Sequence, residues 1–424
     1  MSNQCNQSKN LQIKQSIRNT RNRRKNQICK TYKLKIDYSA LNSQQRECLF
    51  RMFLEAKWLW NDILRWSELN TDNSPFNYKI TNTVYVKLPT GVYDERQLNY
   101  LHSQMKQALQ QQLCSNIRAL SSLKKKKLQF PGKLKYKSEI RKLHIKQLAK
   151  SFIRRGGHFV KLPNIPGEVR VNGAKQIPKN AELACADLLN TPQGFYLAVV
   201  TYIDKTGLES HIKSQSILGI DFGCHTNFTL STGEKINCIV EESERLKRLQ
   251  KKLFRQVKGS NNYKRTVHLI QVEYQKLTNK KLDLTNQVVH KFLQYQTVVI
   301  QDEQLRNWQK MHHGKIVQHS ILGRVKSRLT EHTNVVVLNK WLPTTKLCTR
   351  CGKIHDEMRL SDNIFRCDCG VSADRDVHAA NTMIWMYFNI GAEHTNLKRV
   401  ELESLLSQLF STDKNPSKKH EDLI

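Results

Sequence analysis

Ile217-Leu218-Gly219-Ile220-Asp221 is an apolar run that closes on a carboxylate. A short run of this kind reads as a buried strand, and its acid falls at the strand end, where α/β folds gather their reactive groups. Working outward, Asn227 to Leu230 reads as a partner strand that stops at the turn pair Thr232-Gly233. Val298-Val299-Ile300 is a second buried strand and runs straight into Gln301-Asp302-Glu303. Val335 to Leu338 is a third, and Asp374-Arg375-Asp376 leads into a helix expected over Val377 to Tyr387. Glu241 to Val257 and Tyr263 to Phe292 read as two helices joined at Gly259-Ser260-Asn261-Asn262. Their seams are Leu246, Leu249 and Leu253 on the first, and Val267, Ile270, Tyr274 and Leu277 on the second. The fold class is α/β.

Three segments therefore offer an acid: Asp221, one of Asp302 and Glu303, and one of Asp374 and Asp376. Three carboxylates brought together would repel one another unless divalent cations neutralised them, and hard oxygen ligands suit Mg²⁺ or Mn²⁺. Two such ions roughly 3.5–4 Å apart can activate water and stabilise the leaving oxygen of a phosphodiester. Taken singly each acid has a plainer use, as a helix cap for Asp374 or a turn residue for Asp302.

Between the second and third acids lies Cys348-x₂-Cys351, and then Cys367-x-Cys369 after fifteen intervening residues. Each pair stands beside a glycine, Gly352 or Gly370. Four thiolates in two close pairs read as a closed, structural zinc ribbon. The second pair is tighter than x₂, which leaves His355 open as a substitute ligand to a Cys₄ set. The other seven of the eleven cysteines are scattered singly, which suits a reducing compartment better than a disulfide framework.

The N-terminal half is read more coarsely. Met1 to Lys30 is a polar basic arm carrying Arg18, Arg21, Arg23, Arg24 and Lys25, with no apolar core of a signal peptide. Tyr32 to Ile36 alternates as a strand, and Asn42 to Trp66 and Gln97 to Leu123 read as amphipathic helices. Core packing is the plain reading of Trp58, Trp60 and Trp66; base stacking is the other. Lys124-Lys125-Lys126-Lys127 is followed by Lys133, Lys135, Lys137 and Arg141, interleaved with Phe130 and Tyr136, a mixture that suits nucleic-acid contact better than a merely solvated face. Strand signals dominate from about Phe152 to Asp204, and Ser411 to Ile424 reads as a polar disordered tail.

The whole chain of 424 residues carries a formal net charge of +34 with a 39% hydrophobic fraction. A core is available, and the cationic excess is that of a protein that neutralises a phosphate backbone. No apolar run of about 18 residues is present, so an anionic membrane is excluded as a span. The chain is expected in the cytosol or nucleoid.

These residues together resemble the TnpB proteins of bacterial insertion sequences. The likeness rests on Gly219-Ile220-Asp221-Phe222-Gly223, Gln301-Asp302-Glu303, Thr344-Thr345-Lys346-Leu347-Cys348-x₂-Cys351-Gly352, Phe365-x-Cys367-x-Cys369-Gly370 and Asp374-Arg375-Asp376-Val377-His378-Ala379-Ala380-Asn381. Lys57-Trp58-Leu59-Trp60-Asn61 looks like the family's first recognition helix, and Lys247 to Asn262 like its helical hairpin. The resemblance implies a ribonuclease-H-like RuvC nuclease domain with a zinc-ribbon insertion. It also implies an N-terminal, β-barrel-like wedge domain carrying a helical recognition insertion.

On that plan residues 1–30 are a basic arm, 31–48 wedge strand, 49–150 the recognition domain and 151–210 the rest of the wedge. The nuclease then occupies 211–342 and 373–398, with the zinc ribbon at 343–372 and a C-terminal tail at 399–424. The resemblance further implies a guide RNA from the transposon end, one protein copy per RNA, and double-stranded DNA cut beside a short adjacent motif. By alignment with the family the catalytic acids fall on Asp221, Glu303 and Asp376; Glu303 opens a Glu-x-Leu and Asp376 precedes x-His-Ala-Ala. His378 departs from the family's usual Asn. On a helix Asp374 and Asp376 would point about 200° apart, so only one can face a metal pair. Alternatives are a nuclease-inactive RNA-guided regulator, a CRISPR-associated type V effector with the same chemistry, and a transposase joining DNA ends.

Overall fold

A computed structural model describes residues 2–69, 74–125, 132–147, 158–204, 214–310, 314–359, 361–391 and 399–412. The chain divides into two units, Met1–Gly207 and Leu208–Ile424. Among the described residues no helix is long and apolar enough to cross a membrane.

The first unit opens with α1 (Ser2–Lys25), so the basic arm is helical over most of its length. It contains no Gly or Pro, and Arg23, Arg24 and Lys25 lie at its C-terminal end, where cations meet the negative pole of the helix. β1 (Gln27–Ile36) starts five residues before the expected Tyr32, and its buried residues Tyr32, Leu34 and Ile36 alternate as a one-sided strand requires. α2 (Ser43–Leu69) begins at a reciprocal cap. Asn42 Oδ1 accepts the Gln45 N–H at 2.8 Å, and Gln45 Oε1 accepts the Asn42 N–H at 3.2 Å. Its inner face buries Leu49, Met52, Phe53, Ala56, Leu59, Trp60 and Ile63.

A hairpin of β2 (Thr83–Lys87) and β3 (Tyr93–Gln97) follows, then α3 (Ser103–Lys125). The helix expected from Gln97 is thus corrected: Gln97 ends a strand, and residues 99–101 turn around a buried acid. Glu55 accepts the N–H groups of Asn99 at 3.0 Å, Tyr100 at 2.9 Å and Leu101 at 2.8 Å. A carboxylate holding three amides satisfies a turn that no local pattern announces. The strands β4 (Lys142–Ile145), β5 (Phe159–Val160), β6 (Val169–Asn172), β7 (Glu182–Thr191) and β8 (Gly194–Asp204) join β1 in an antiparallel sheet ordered β4-β7-β8-β1-β6-β5. Among the described residues this ladder is open between β4 and β5.

The second unit is built on a mixed sheet. β9 (Ser214–Phe222), β10 (Phe228–Leu230) and β11 (Lys235–Ile236) form an antiparallel meander. The chain leaves it through α4 (Glu244–Phe254) and α5 (Asn261–Phe292), capped by Ser243 and Ser260 whose hydroxyls accept the N–H of Leu246 and Tyr263. It returns as β12 (Tyr295–Gln301), parallel to β9. Three short helices, α6 (Leu305–Lys310), α7 (Gly314–His319) and α8 (Leu322–Leu329), carry it to β13 (Val335–Leu338), parallel to β12. Next come the hairpin β14 (Ile364–Arg366) and β15 (Ser372–Asp374), then α9 (Arg375–Asn389) and α10 (Arg399–Thr412). Ser411 and Thr412 close this last helix instead of opening a disordered tail; 413–424 lie outside the described residues.

Alternate residues of the sheet feed two cores. Val298 and Ile300 pack with Leu218, Ile220, Phe228 and the α5 residues Val288, Val289 and Phe292. Val299 faces the other way, onto Met383, Met386 and the α10 residues Leu402 and Leu406. α9 crosses β9 so closely that a Cβ on Gly219 would lie 2.1 Å from the Ala380 carbonyl oxygen. Only glycine permits that approach, and it brings the start of α9 over the end of β9.

Candidate active site and metal centre

β9 and β12 are adjacent and parallel, with Ile220 level with Ile300. Asp221 and Glu303 therefore leave the sheet at neighbouring carboxyl ends, the usual place for a site in such a sheet. α9 begins above them, and Asp221, Glu303 and Asp376 line one cavity of about 450 Å³. The adjacent acids are used otherwise. Asp302 is exposed and accepts Lys326 Nζ at 2.6 Å. Asp374 caps α9, its Oδ1 taking the N–H of Asp376 and Val377, and its Oδ2 pairs with Lys235 at 2.7 Å.

Burial, and then the charges of Asp376 and Glu303, push the Asp221 carboxyl up to about 8. Burial likewise raises Glu303, against the pull of Lys326. Such a site resists holding its own negative charge, and an added cation would relieve it. Hard carboxylate oxygens fit Mg²⁺ or Mn²⁺. Arg375 lies over the group: its guanidinium reaches Asp376 Oδ1 at 2.9 Å and the Asp362 carbonyl at 2.8 Å.

The cavity also holds Lys340, Lys346 and Arg359, a cationic rim beside the acids. Sequence reasoning singled out none of these as site residues. Their one local signal was Lys346 standing inside a motif already quoted, as Arg375 also does. Gln301 fixes this side of the wall. Buried at the end of β12, it donates to the carbonyls of Asn339 at 3.0 Å and Leu342 at 2.8 Å and accepts from Thr344 Oγ1 at 2.8 Å.

The four thiols of Cys348, Cys351, Cys367 and Cys369 all lie within 4.8 Å of one another; among the described residues this is the set of potential ligands drawn that tightly. Cys348 and Cys369 are 3.5 Å apart, as are Cys351 and Cys367. Each pair sits in a knuckle: Gly352 N–H donates to the Cys348 carbonyl and Gly370 N–H to that of Cys367, both at 2.9 Å. Burial opposes the charged form of Cys369, but the Val371 amide and the neighbouring thiols outweigh it and bring that thiol down to about 7. A soft, four-sulfur donor set of this kind is compatible with structural zinc. His355 stands outside the set; its Nδ1 meets Glu357 at 2.8 Å and its ring packs edge-on against Phe365.

His378 does not enter the acid cavity. Its ring is buried, stacks on Phe365 at 3.8 Å, and its Nε2–H donates to the Leu347 carbonyl at 2.8 Å. It therefore ties the start of α9 to the ribbon.

The basic candidates are dispersed. Lys124 and Lys125 end α3 and are exposed, as are Lys133, Lys135 and Arg141, which pairs with Glu139 at 3.0 Å. Lys137 is half-buried, its Nζ 3.4 Å from the centre of the Trp60 ring. Lys126 and Lys127 lie outside the described residues. Trp60 is core at 1% exposure, whereas Trp58 and Trp66 are half-buried beside that core.

Residues 199–311, which hold Asp221 and Glu303, match the family model OrfB_IS605, described as a probable transposase. Residues 324–383, which hold the four thiols and Asp376, match the Cas12f1-like TNB domain. A Streptomyces pristinaespiralis protein named as an RNA-guided DNA endonuclease is 32% identical over 179 residues, 39% of this chain and 44% of that protein. InsQ of Escherichia coli (strain K12), named likewise, is 28% identical over 196 residues, 40% of this chain and 49% of its own. The chain thus spans about half the length of the curated relatives it matches. A solved Cas12f1–guide RNA–target DNA complex aligns over 84% of this chain and 99% of its own at 10% identity and a TM-score of 0.45, too distant to argue from. Both matched segments carry the motifs quoted above, and over them the chain is similar to the OrfB_IS605 and Cas12f1-like TNB families and to proteins named as RNA-guided DNA endonucleases.

Proposed function

We propose that this protein is an RNA-guided DNA endonuclease of a transposable element, hydrolysing phosphodiesters at a guide-matched target next to a short adjacent motif. The observation that carries the reading is the convergence of Asp221, Glu303 and Asp376 on one cationic-rimmed cavity. Three acids beside Lys340, Lys346, Arg359 and Arg375 suit a polyanionic substrate cut with metal assistance. The mixed sheet and the acids' positions support a ribonuclease-H-like, RuvC-type nuclease. The four-thiol segment between its parts is the zinc ribbon. The antiparallel sheet and α2–α3 are the wedge and recognition parts, and the division into eight segments given above belongs to the same proposal. The partners are a guide RNA and double-stranded DNA, held by basic residues including Lys124, Lys125, Lys133, Lys135, Lys137 and Arg141.

Bound Mg²⁺ or Mn²⁺ supplies the activated water and the neutralisation of developing charge. Asp221, Glu303 and Asp376 would hold it. Asp221, at a rigid strand end, fixes one side of the site. Asp376, oriented by Arg375, fixes the other. Lys346 and Arg359 hold the phosphate against them. Zinc, bound at the four thiols, would keep the ribbon folded and take no part in the chemistry.

The test is plasmid cleavage with co-expressed guide RNA. Asp221→Ala is expected to abolish cutting, at least a hundredfold, while guide and target binding persist. Cutting that survives this change rules out the assignment of Asp221. A non-cutting regulator predicts no cleavage by the unaltered protein, and strand transfer without RNA would favour a transposase. Sequencing the RNA that copurifies tests the guide directly.

A further inference from the structure

The outer face of α2 carries a second cavity, of about 580 Å³, in the N-terminal unit. Trp58, Arg65 and Glu68 line it from the helix, Tyr85, Lys87 and Tyr93 from the β2–β3 hairpin. Tyr136 and Lys137 close the third side. Tyr85, Tyr93 and Tyr136 are 46%, 44% and 49% exposed, so three rings that could have been buried are held facing one space.

The cations among them are fixed in place. Arg65 is gripped through Nε at 3.0 Å and Nη2 at 2.8 Å by Asp62 Oδ1, while Asp62 Oδ2 accepts the Tyr78 hydroxyl at 2.6 Å. The guanidinium so positioned lies 4.8 Å from the Tyr85 ring centre and 5.2 Å from that of Tyr93. The Lys137 backbone is pinned by the Asn61 amide, which donates to its carbonyl at 2.9 Å and accepts its N–H at 2.8 Å. Among the described residues neither Lys87 nor Lys137 has a carboxylate partner, whereas the Glu68 carboxylate is taken by the Tyr136 hydroxyl.

Each ligand class meets this lining differently. A quaternary ammonium would want bare rings, but the Arg65 guanidinium already sits over two of them, Tyr85 and Tyr93, and would repel it. An apolar molecule would desolvate fixed charges without compensation. A bare phosphate would leave the rings unused. A planar group joined to an anion uses both, and base stacking on tyrosine beside lysine is how unpaired strands are held. Paired bases keep their faces inside the duplex, so the base must be unpaired.

We propose that this cavity captures one unpaired nucleotide of a bound strand, with its base against the tyrosine rings and its phosphate on Lys87 and Lys137. The site is expected to be tolerant of base identity, because stacking reads no base edge and the Asn61 amide and Glu68 are already engaged. It needs neither the acid cavity nor a metal, so it stands or falls separately from the nuclease reading.

The test uses the full-length protein, freed of copurifying nucleic acid in high salt and without added magnesium. Pyrimidine hexamers of RNA and of DNA, each with an abasic counterpart, are titrated at fixed salt. The unaltered protein is expected to prefer base-bearing over abasic hexamer by about tenfold. The Y85L/Y93L double variant is expected to lose that preference while still binding the abasic strand. Lys87→Gln, on an exposed position, is expected to weaken both strands severalfold without unfolding. Whether the preference is found on RNA or on DNA identifies the strand captured. Absence of any preference, or its survival in the double variant, overturns the proposal. Should that variant fail to fold, thio-pyrimidine photocrosslinks on the unaltered protein decide: adducts at Trp58, Tyr85, Tyr93 or Tyr136 support the site, and adducts elsewhere alone reject it.

Discussion

Asp221 is asked to be charged where charge is unwelcome. Burial and the nearness of Asp376 and Glu303 carry its carboxyl from an ordinary 3.8 up to about 8. In metal-free protein the folded state therefore binds a proton that the unfolded state has already released, across the window from about pH 4 to 8. Stability must then fall as pH rises through that window. Asp221→Asn removes the proton linkage, so thermal unfolding without divalent metal should show the variant gaining most over the unaltered protein near pH 8 and nothing near pH 4. An equal difference at both ends would show that Asp221 does not titrate this way. At this scale the sequence located the acids only to within a residue or two. Asp302 and Glu303 are neighbours, and so nearly are Asp374 and Asp376; which side chain turns inward depends on Lys326 and Lys235, each of which draws one acid away. Both lysines come from distant segments. Arg375 was visible only as part of a motif, because its grip on the Asp362 carbonyl crosses the ribbon.

Among the elements, the ribbon and α9 behave as one piece. β15 runs directly into α9, and His378 clamps the junction by stacking on Phe365 and donating to Leu347, the residue before the first thiol. His378→Ala should destabilise the second unit by about 2 kcal/mol, from a lost ring contact and a stranded carbonyl. His378→Gln, which keeps a donor, should lose less; equal losses in a melting series would show that the hydrogen bond contributes nothing. Stripping zinc should unfold 348–369 locally and loosen the first turn of α9, read as faster amide exchange there. Metal analysis finding no zinc would refute the ribbon.

Elements with their own punctuation were legible. α4 and α5 were legible from their apolar seams and the Gly259–Asn262 joint, although α4 starts at the Ser243 cap and ends at Phe254, inside the expected Glu241 to Val257; β9 and β12 were legible from their apolar runs. The β2–β3 hairpin was not, since Tyr93-Asp94-Glu95-Arg96-Gln97 carries no strand-like apolar alternation and the turn after it is held by remote Glu55. α10 was not read either, its residues being expected as part of a C-terminal tail from 399, and for a similar reason. Its Phe410 packs against Gly352 so closely that a Cβ there would meet the ring at 2.5 Å, and Trp385 stacks on the same ring. The φ of +75° at Gly352 excludes a side chain on its own account too.

For the molecule as a whole the dominant quantity is its charge: 70 Lys and Arg against 36 Asp and Glu. Binding to RNA or DNA should therefore weaken steeply with salt. The slope of log affinity against log salt should exceed about 5 in magnitude, or about six phosphates at ~0.9 each on duplex. A shallow slope would mean that the excess is a solvated surface. The fold class was legible from the apolar strand runs with acids at their ends and the helical seams between them, whereas the arrangement of the antiparallel sheet was not, because β1 pairs with β8 across more than 150 residues of chain.

The order of the acids along the chain also governs when a nuclease of this design could first act. The strand end bearing Asp221 is made early, yet its last partner, Asp376, sits beyond the ribbon at the start of α9. A ribosome must extend the polypeptide past that helix before the third acid can take its place. Products of stop codons that fall before residue 376 would carry two of the three acids at most.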